Sequence, residues 1–385
     1  MIGLPKRASV VVIGGGIQGL SCAFNLAARG VGGVVVLDAG YWQGGASGRN
    51  GTLIRGGFAS PEWTRFFGHS NQCWMSLAKT LGHNPMFTRR GYTMIAEKPQ
   101  TAAMLEGALK VHAENGVISR HLDRGGLRRV LPAIAAERVA SAIHFRDGGV
   151  APHHAPMKAY LAACRARGVQ VRYRTKVTGI ETTNGRASAV IAGDRRIDAD
   201  AVLIAAGAYA PEIAKLAGVT LAGYPMRIEA MALEPTRPLI GPALALIDRL
   251  AYMHQSGRGE VVGGIEVPER PRPSLKTDLP VMTGTAKVYF EMFPALAQVR
   301  ILRHWGGMLH ITPDYGPLLG PHPALRDLWI TAGWSYGYSG APGAGDLMGK
   351  AIATGQIDDR MAPFAVDRFD RGKPVRELGI VLATE

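Results

Sequence analysis

The chain has 385 residues, 47% of them hydrophobic and 19% charged, the composition of a soluble globular protein whose length calls for two packed domains. Its formal charge of +14 is scattered, with only small clusters at Arg89-Arg90, Arg128-Arg129 and Arg195-Arg196; this argues against nucleic acid and for an anionic dinucleotide, an anionic substrate or an acidic partner. No apolar run reaches the roughly eighteen residues of a membrane span, and residues 10–13 meet Gly14-Gly15-Gly16 too early for a signal peptide, so no transmembrane segment and a cytoplasmic location are expected.

The three cysteines, Cys22, Cys73 and Cys164, are far apart and form no CxxC pair. Neither a metal or iron–sulfur site nor a disulfide framework is expected, and they read as buried thiols.

Residues 9–13 are a short β-branched run bounded by glycines, the pattern of a buried parallel strand. The run enters Gly14-Gly15-Gly16-Ile17-Gln18-Gly19, after which Leu20, Ala23, Phe24, Leu26 and Ala27 recur at helical spacing until Gly30. Val34–Leu37 is a second strand, closing on Asp38 and Ala39. Gly14 suits a tight turn, Gly16 lets backbone amides approach a pyrophosphate, and Gly19 lets helix pack closely on strand. Asp38 lies 38 − 19 = 19 residues past the last glycine, close to the ~20-residue spacing at which an acid meets ribose hydroxyls. Strand, glycine turn, helix, strand and acid in that order predict a Rossmann-type dinucleotide domain.

Residues 44–52, with Ala46, Ser47, Arg49, Asn50 and Gly51, form a small polar loop able to supply further amides and a cation to a long diphosphate, which favours FAD over NAD. A flexible surface loop is the alternative. Farther on, a helix over 155–167 precedes a strand over 169–173, and 200–208 reads as a buried strand ending in a glycine turn at Ala206-Gly207. Residues 268–273, with Glu269 and Arg270, are the clearest exposed loop, and there is no internal repeat. Residues 343–348 read as the start of the final helix, whose unpaired amides would favour negative charge.

The 44–52 loop with Leu53, Ile54 and Arg55 resembles the D-amino-acid-oxidase-like flavoproteins, in particular the β subunit of heterotetrameric sarcosine oxidases and related amine, proline and opine dehydrogenase subunits. The likeness continues through Arg89-Arg90-Gly91-Tyr92, Glu234-Pro235-Thr236-Arg237-Pro238, Tyr252-Met253-His254-Gln255-Ser256 and Gly263-Gly264-Ile265-Glu266. It is most specific at Arg303-His304-Trp305-Gly306-Gly307, Thr312-Pro313-Asp314, Gly320, Gly333-Trp334, Pro342-Gly343 and Ala362-Pro363-Phe364.

The resemblance implies an α/β chain, α+β overall, with a glutathione-reductase-like FAD domain and an antiparallel-sheet substrate domain. The first takes residues 1–83, 148–218 and 305–385, and the second 84–147 and 219–304. It also implies that Gly14, Gly16, Ile17, Gln18, Gly19, Asp38, Ala39, the 44–52 loop and Leu53 hold the cofactor with Val177, Ala206 and Gly207. Gly333, Trp334, Ser335, Tyr336, Gly337 and Ser339 would line its flavin end.

The implied activity is oxidation of the C–N bond of a secondary amine or amino acid by hydride transfer to FAD, in one subunit of a complex with an α-type and a small ferredoxin-like partner. Rival functions are an electron-relaying subunit and a non-catalytic flavin-binding component. Arg55 matches the arginine that clamps a substrate carboxylate, a task suited to a planar guanidinium, the alternative being a surface arginine. Tyr252 falls at an active-site tyrosine, or is a buried tyrosine bonding to backbone. His310 lies on a strand facing the flavin, to tune the amine's protonation or merely to be accommodated. Where sarcosine oxidases carry a lysine after Gly-Phe, this chain reads Gly337-Tyr338-Ser339-Gly340, which speaks against simple sarcosine oxidation. Gly307 stands where monomeric sarcosine oxidases place a cysteine link, so FAD is expected to be non-covalent. Residues 148–154 resemble the segment joined covalently to FMN, with His153 at the place of the link; capping or packing is the other reading.

Overall fold

The computed structural model describes residues 3–265 and 274–379; Glu266 and the expected loop at 268–273 lie outside the described residues. The chain opens with β1 (Arg7–Ile13), α1 (Ile17–Ala28), β2 (Val34–Leu37), β3 (Leu53–Ile54) and α2 (Pro61–Leu81). Next come β4 (Tyr92–Ala96), α3 (Pro99–Glu114), β5 (Ser119–His121), α4 (Arg124–Val130), β6 (Ser141–Phe145), β7 (Gly149–Val150), α5 (His154–Ala166) and β8 (Gln170–Arg172). The middle supplies β9 (Val177–Thr183), β10 (Arg186–Ala192), β11 (Arg195–Ile204), α6 (Ala210–Lys215), β12 (Tyr224–Leu233), β13 (Ala243–Leu246), β14 (Ala251–Gln255) and β15 (Val261–Ile265). It closes with α7 (Leu279–Met292), β16 (Ile301–Ile311), β17 (Leu318–Pro321), β18 (Leu328–Ala332) and α8 (Gly337–Thr354).

The first sheet runs β17-β18-β11-β1-β2-β8, with β9 and β10 attached to β11. β1 is parallel to both β2 and β11, so a helix must return each strand and both faces are covered. Side chains therefore alternate between two cores. Val10, Val12, Val34 and Val36 pack with α1, α2, α5 and α8, whereas Val11, Ile13, Val35 and Leu37 face the β9–β10 ribbon and α6.

The second sheet runs β16-β12-β15-β14-β13-β4-β6-β5 and is antiparallel apart from the β13–β4 pair. β16 pairs with β12 along its whole length, Trp305 opposite Ala230 and His310 opposite Pro225. A boundary at residue 305 would cut this ladder, so residues 305–311 belong with the second sheet and the chain returns to the first only after β16.

The last helix also differs from expectation. It begins at Gly337 and not at Gly343, with Pro342 inside it. A proline there has no N–H for the carbonyl four residues back and normally breaks the helix. Here Ser70 of α2 bridges the next rung, which the proline ring holds open: its hydroxyl donates to Ser339 O (2.7 Å) and accepts from Gly343 N (3.1 Å), while Trp74 Nε1 also donates to Ser339 O (3.0 Å). Close approach is needed on the α1 side as well, where a Cβ at Gly345 would overlap Ser21. Asp346 ties the three helices by accepting from Arg29 at the C-terminal cap of α1 (2.6 Å) and contacting His69 of α2 (2.9 Å).

Cys22 and Cys164 are buried free thiols, but Cys73 is only half-buried, its Sγ 3.7 Å from His69 Nε2. Among the described residues, no helix is long and apolar enough to cross a membrane.

Ser70→Ala is expected to destabilise the protein by about 2 kcal/mol, because the Gly343 amide is left buried without an acceptor. Urea unfolding measures this, and an unchanged midpoint would remove Ser70 from its role in α8.

Candidate active site

Backbone runs against backbone where β1 meets α1. Gly14, at φ +116°, donates its amide to Leu37 O (2.8 Å), and a Cβ on it would overlap Ala205 O. A Cβ at Gly19 would likewise overlap Gly14 O. Glycine at both positions lets α1 start tightly against β1 and β11. Its N-terminus has Gly16 as N-cap with no side-chain cap and opens on a cavity of about 730 Å³ lined from both sheets. First-turn amides that no N-cap side chain takes, with the positive end of the helix dipole, suit an anion.

Asp38, just past β2, accepts from Gly15 N and Gly40 N, each at 2.7 Å. The carboxylate braces the glycine turn, and each oxygen keeps a further lone pair for a ribose hydroxyl. Tyr173 donates to Gly15 O from the other side (3.0 Å).

The 44–52 loop is ordered by its own polar groups and is no flexible surface loop. Ser47 Oγ accepts from Ile17 N (2.9 Å), and Asn50 joins Ser47 O to Thr52 N (2.6 and 2.7 Å). Arg49 lines the cavity, but its guanidinium is committed to Gly44 O (3.2 Å) and Gly306 O (3.3 Å), so it fastens the loop to β16 and is no free cation.

At the far end, α8 also starts without a side-chain cap. Its first-turn amides lie at 337–339, not at 343–348, because Ser70 repairs the helix across Pro342. Gln18 of α1 locks the two uncapped ends together, donating to Gly337 O (2.7 Å) and accepting from Thr331 Oγ1 (3.3 Å).

Most of the expected cofactor residues line this one cavity: Gly14, Gly16, Ile17, Gln18, Asp38, Ala39 and Ala46 to Gly51 apart from Gly48, then Leu53, Val177, Ala206, Gly207, Trp334 to Gly337, and Ser339. Gly19, Gly333 and His153 do not. Gly19 and Gly333 act through packing and turn geometry. The donor set fits a dinucleotide: an uncapped helix end faced by glycine backbone, an acid at the second strand, and a second uncapped helix end farther along.

Arg55 is 6% exposed, which excludes a surface arginine, and its guanidinium faces the cavity within an aromatic cage. It stacks on Phe58 (3.9 Å), with Tyr336 at 4.7 Å and Tyr92 at 5.5 Å. NH1 also meets Met94 Sδ at 3.0 Å. Ser339 Oγ accepts from Arg55 N (3.1 Å) and donates to Arg55 O (2.9 Å), fixing the backbone beneath the side chain. Tyr252 is half-buried and lines the cavity, its ring packed where a Cβ at Gly51 would otherwise stand.

His310 lines the cavity too, but it cannot tune an amine there. Nδ1 accepts from Gly333 N (3.0 Å), so the proton sits on Nε2, which donates to Ala222 O (2.9 Å). Burial lowers its pKa to about 4. It is a neutral strut between β16 and the Gly333 turn. His153 is the N-cap residue of α5 yet makes no side-chain cap bond, and it packs edge-on to His154 (ring centroids 6.1 Å apart). Burial, then His154 and Arg303, lower its pKa.

Tyr92, Met94, Met104, Leu105 and Glu377 also line the cavity and are not among the site residues expected from the sequence, although Tyr92 belongs to a segment that carries the resemblance. The period of a strand starting at Tyr92 could have put Tyr92 and Met94 on one face. Nothing local marks Glu377.

The family described as FAD dependent oxidoreductase (DAO) matches residues 9–351. The chain is 28% identical to sarcosine oxidase subunit beta of Rhodobacter capsulatus, over 97% of this chain and 91% of that protein. It is 29% identical to sarcosine oxidase subunit beta of Rhizobium meliloti, over 96% and 90%. Among solved structures it is similar to L-proline dehydrogenase from P. horikoshii, with a TM-score of 0.92, 26% identity and coverage of 96% of this chain and 100% of that one.

Gly19→Val is expected to yield colourless protein, since α1 can no longer start against Gly14; flavin absorbance per chain after purification measures this. Separately, burial holds His112, His254 and His310 each at about 4, against 6.5 for an ordinary histidine. The unfolded chain therefore binds more protons than the folded one between these values. The stability due to neutral burial is whole above about 6.5 and falls as pH drops toward about 4. Urea midpoints measured across that window should decline with a slope approaching three protons, and a flat profile would contradict the buried neutral state.

Proposed function

The chain belongs to the DAO family of FAD-dependent oxidoreductases, and we propose that it oxidises the C–N bond of a secondary amine or amino acid that carries a carboxylate. The observation behind this is Arg55: a guanidinium buried in an aromatic cage, facing the cavity at the end where α8 begins. Such a planar cation, with its backbone fixed by Ser339, suits two-point capture of a carboxylate. Binding energy at that group then orients the carbon beside nitrogen.

The amides of Gly16 and Gln18 would hold the diphosphate of FAD beside Ser47, which keeps the Ile17 amide, while Asp38 would hold the adenosine ribose and the start of α8 the pyrimidine end of the ring. Bound FAD supplies the acceptor for the hydride. Tyr252 borders the space left for substrate. The absence of a lysine at 337–340 supports an amine other than sarcosine itself, since Ser339 there is committed to the Arg55 backbone.

The sarcosine oxidase relatives are named as β subunits, which supports work within a larger complex alongside α-type and small ferredoxin-like partners. His153 lies away from the main cavity beside His154, with Arg303 near enough to lower its pKa, and this supports a second flavin, FMN, joined there in that complex. Acid precipitation of the chain purified with its partners separates the cases: FAD leaves with the supernatant, whereas FMN stays with the pellet only if His153 is a link. An electron-relaying or non-catalytic subunit would show no anaerobic bleaching with any of sarcosine, proline, D-amino acids or opines.

Arg55→Ala should raise KM for the carboxylate-bearing amine by about 10- to 100-fold, the worth of charged hydrogen bonds, with FAD content unchanged. An unaltered KM would falsify the clamp.

A further inference from the structure

The C-terminal segment crosses the start of α2 and brings one more ionisable side chain into the cavity. Val375 O accepts from Trp63 Nε1 (2.9 Å) and Arg376 O from Ser60 Oγ (2.8 Å). Val375 N donates to Asp314 (2.7 Å), which is itself paired with buried Arg368 (2.6 Å). Anchored in this way, Glu377 is 3% exposed, lines the cavity and accepts from Ala59 N (2.8 Å) and Ser60 N (3.0 Å). Those amides follow directly on Phe58, whose ring carries the Arg55 guanidinium. Burial raises the Glu377 pKa, while the amide bonds and Arg55 oppose that rise.

The charged residues lining the cavity, among those described, are Asp38, Arg49, Arg55, Lys176, Glu212 and Glu377. Asp38, Lys176 and Glu212 stand by β2, β9 and α6 at the adenosine end, and Arg49 is committed to backbone carbonyls. Arg55 and Glu377 are thus the charges where substrate would sit, Met94 touching Arg55, and Met104, Leu105 and Ile247 adding apolar lining to the same cavity.

Resting on the reading of Arg55 as a carboxylate clamp, we infer that Glu377 is a specificity-determining residue, restricting the site to amines that bear a single carboxylate and an otherwise apolar body. One bound carboxylate is met by Arg55. A second would face a resident anion among methionine and leucine side chains, with no further cation among the described cavity residues to meet it, and like charges in such surroundings discriminate by repulsion. The apolar lining rewards a hydrocarbon substituent in the same place.

The test compares iminodiacetate with N-isobutylglycine, in which an isopropyl branch of equal heavy-atom count replaces one carboxylate. Both are titrated anaerobically into the FAD-loaded protein, reading binding by perturbation of the flavin spectrum and reaction by its bleaching. The parent should bind N-isobutylglycine more tightly. Glu377→Gln and Glu377→Ala should each narrow the ratio by about tenfold, the factor two like charges roughly 10 Å apart impose at an effective dielectric of about 20. The narrowing should come from tighter iminodiacetate binding.

Because the ratio is taken within one protein, partial loss of structure cancels. Equal weakening of both ligands, an unchanged ratio, or a parent that favours iminodiacetate overturns the inference. Binding without bleaching by either ligand leaves the ratio to decide Glu377 and counts against amine oxidation, and binding of neither overturns both.

Discussion

The architecture of the site depends on the absence of two Cβ atoms. Gly14 lies against the Ala205 carbonyl and Gly19 against the Gly14 carbonyl, so three backbone segments meet where any side chain would hold them apart. Only this contact lets α1 begin at the edge of the sheet beside the cavity, with a glycine N-cap that offers no side-chain cap and Ser47 of the next loop holding Ile17 N. Gln18, one residue before Gly19, then reaches Gly337 and sets the start of α8 relative to α1. A displacement of α1 would therefore move both ends of the cofactor site together.

The second determinant is how the segment from Arg55 to Ser60 satisfies its backbone. Ser339 of α8 holds Arg55 on both its N–H and its C=O. Thr64 of α2 does the same for Phe58 (3.1 and 2.8 Å), and His112 of α3 adds a bond to Phe58 O (3.0 Å). Glu377 takes the next two amides. A buried loop must pair such groups or lose stability, and here four separate parts of the chain do so. The backbone carrying Arg55 is thereby fixed before any ligand arrives, and such preorganisation reduces the entropy lost on binding.

Much of this was legible in the sequence where the constraint is local. The order of β1, glycine turn, α1, β2 and Asp38 follows from hydrophobic periodicity and steric need, and residues 155–167 gave α5 nearly residue for residue. Arg55 came from a resemblance carried by its neighbours. The errors fall where a distant partner decides. Pro342 reads as the boundary of a helix unless Ser70 is known to lie against it. His310 reads as a titratable group until Gly333 and Ala222 occupy its two nitrogens. Residue 305 reads as a domain boundary until β12 is seen paired beyond it.

The sequence by itself determined the dinucleotide turn and the type of cofactor domain, because those need particular residues within one short stretch of chain. Tertiary structure alone decided what Arg55, Arg49, His310 and Glu377 do. What each can reach depends on burial and on partners up to 257 residues away for Arg49 and 318 for Glu377. A linear pattern names the ionisable group; the surrounding dielectric and hydrogen bonds, which exist only once the chain has folded, set its chemistry.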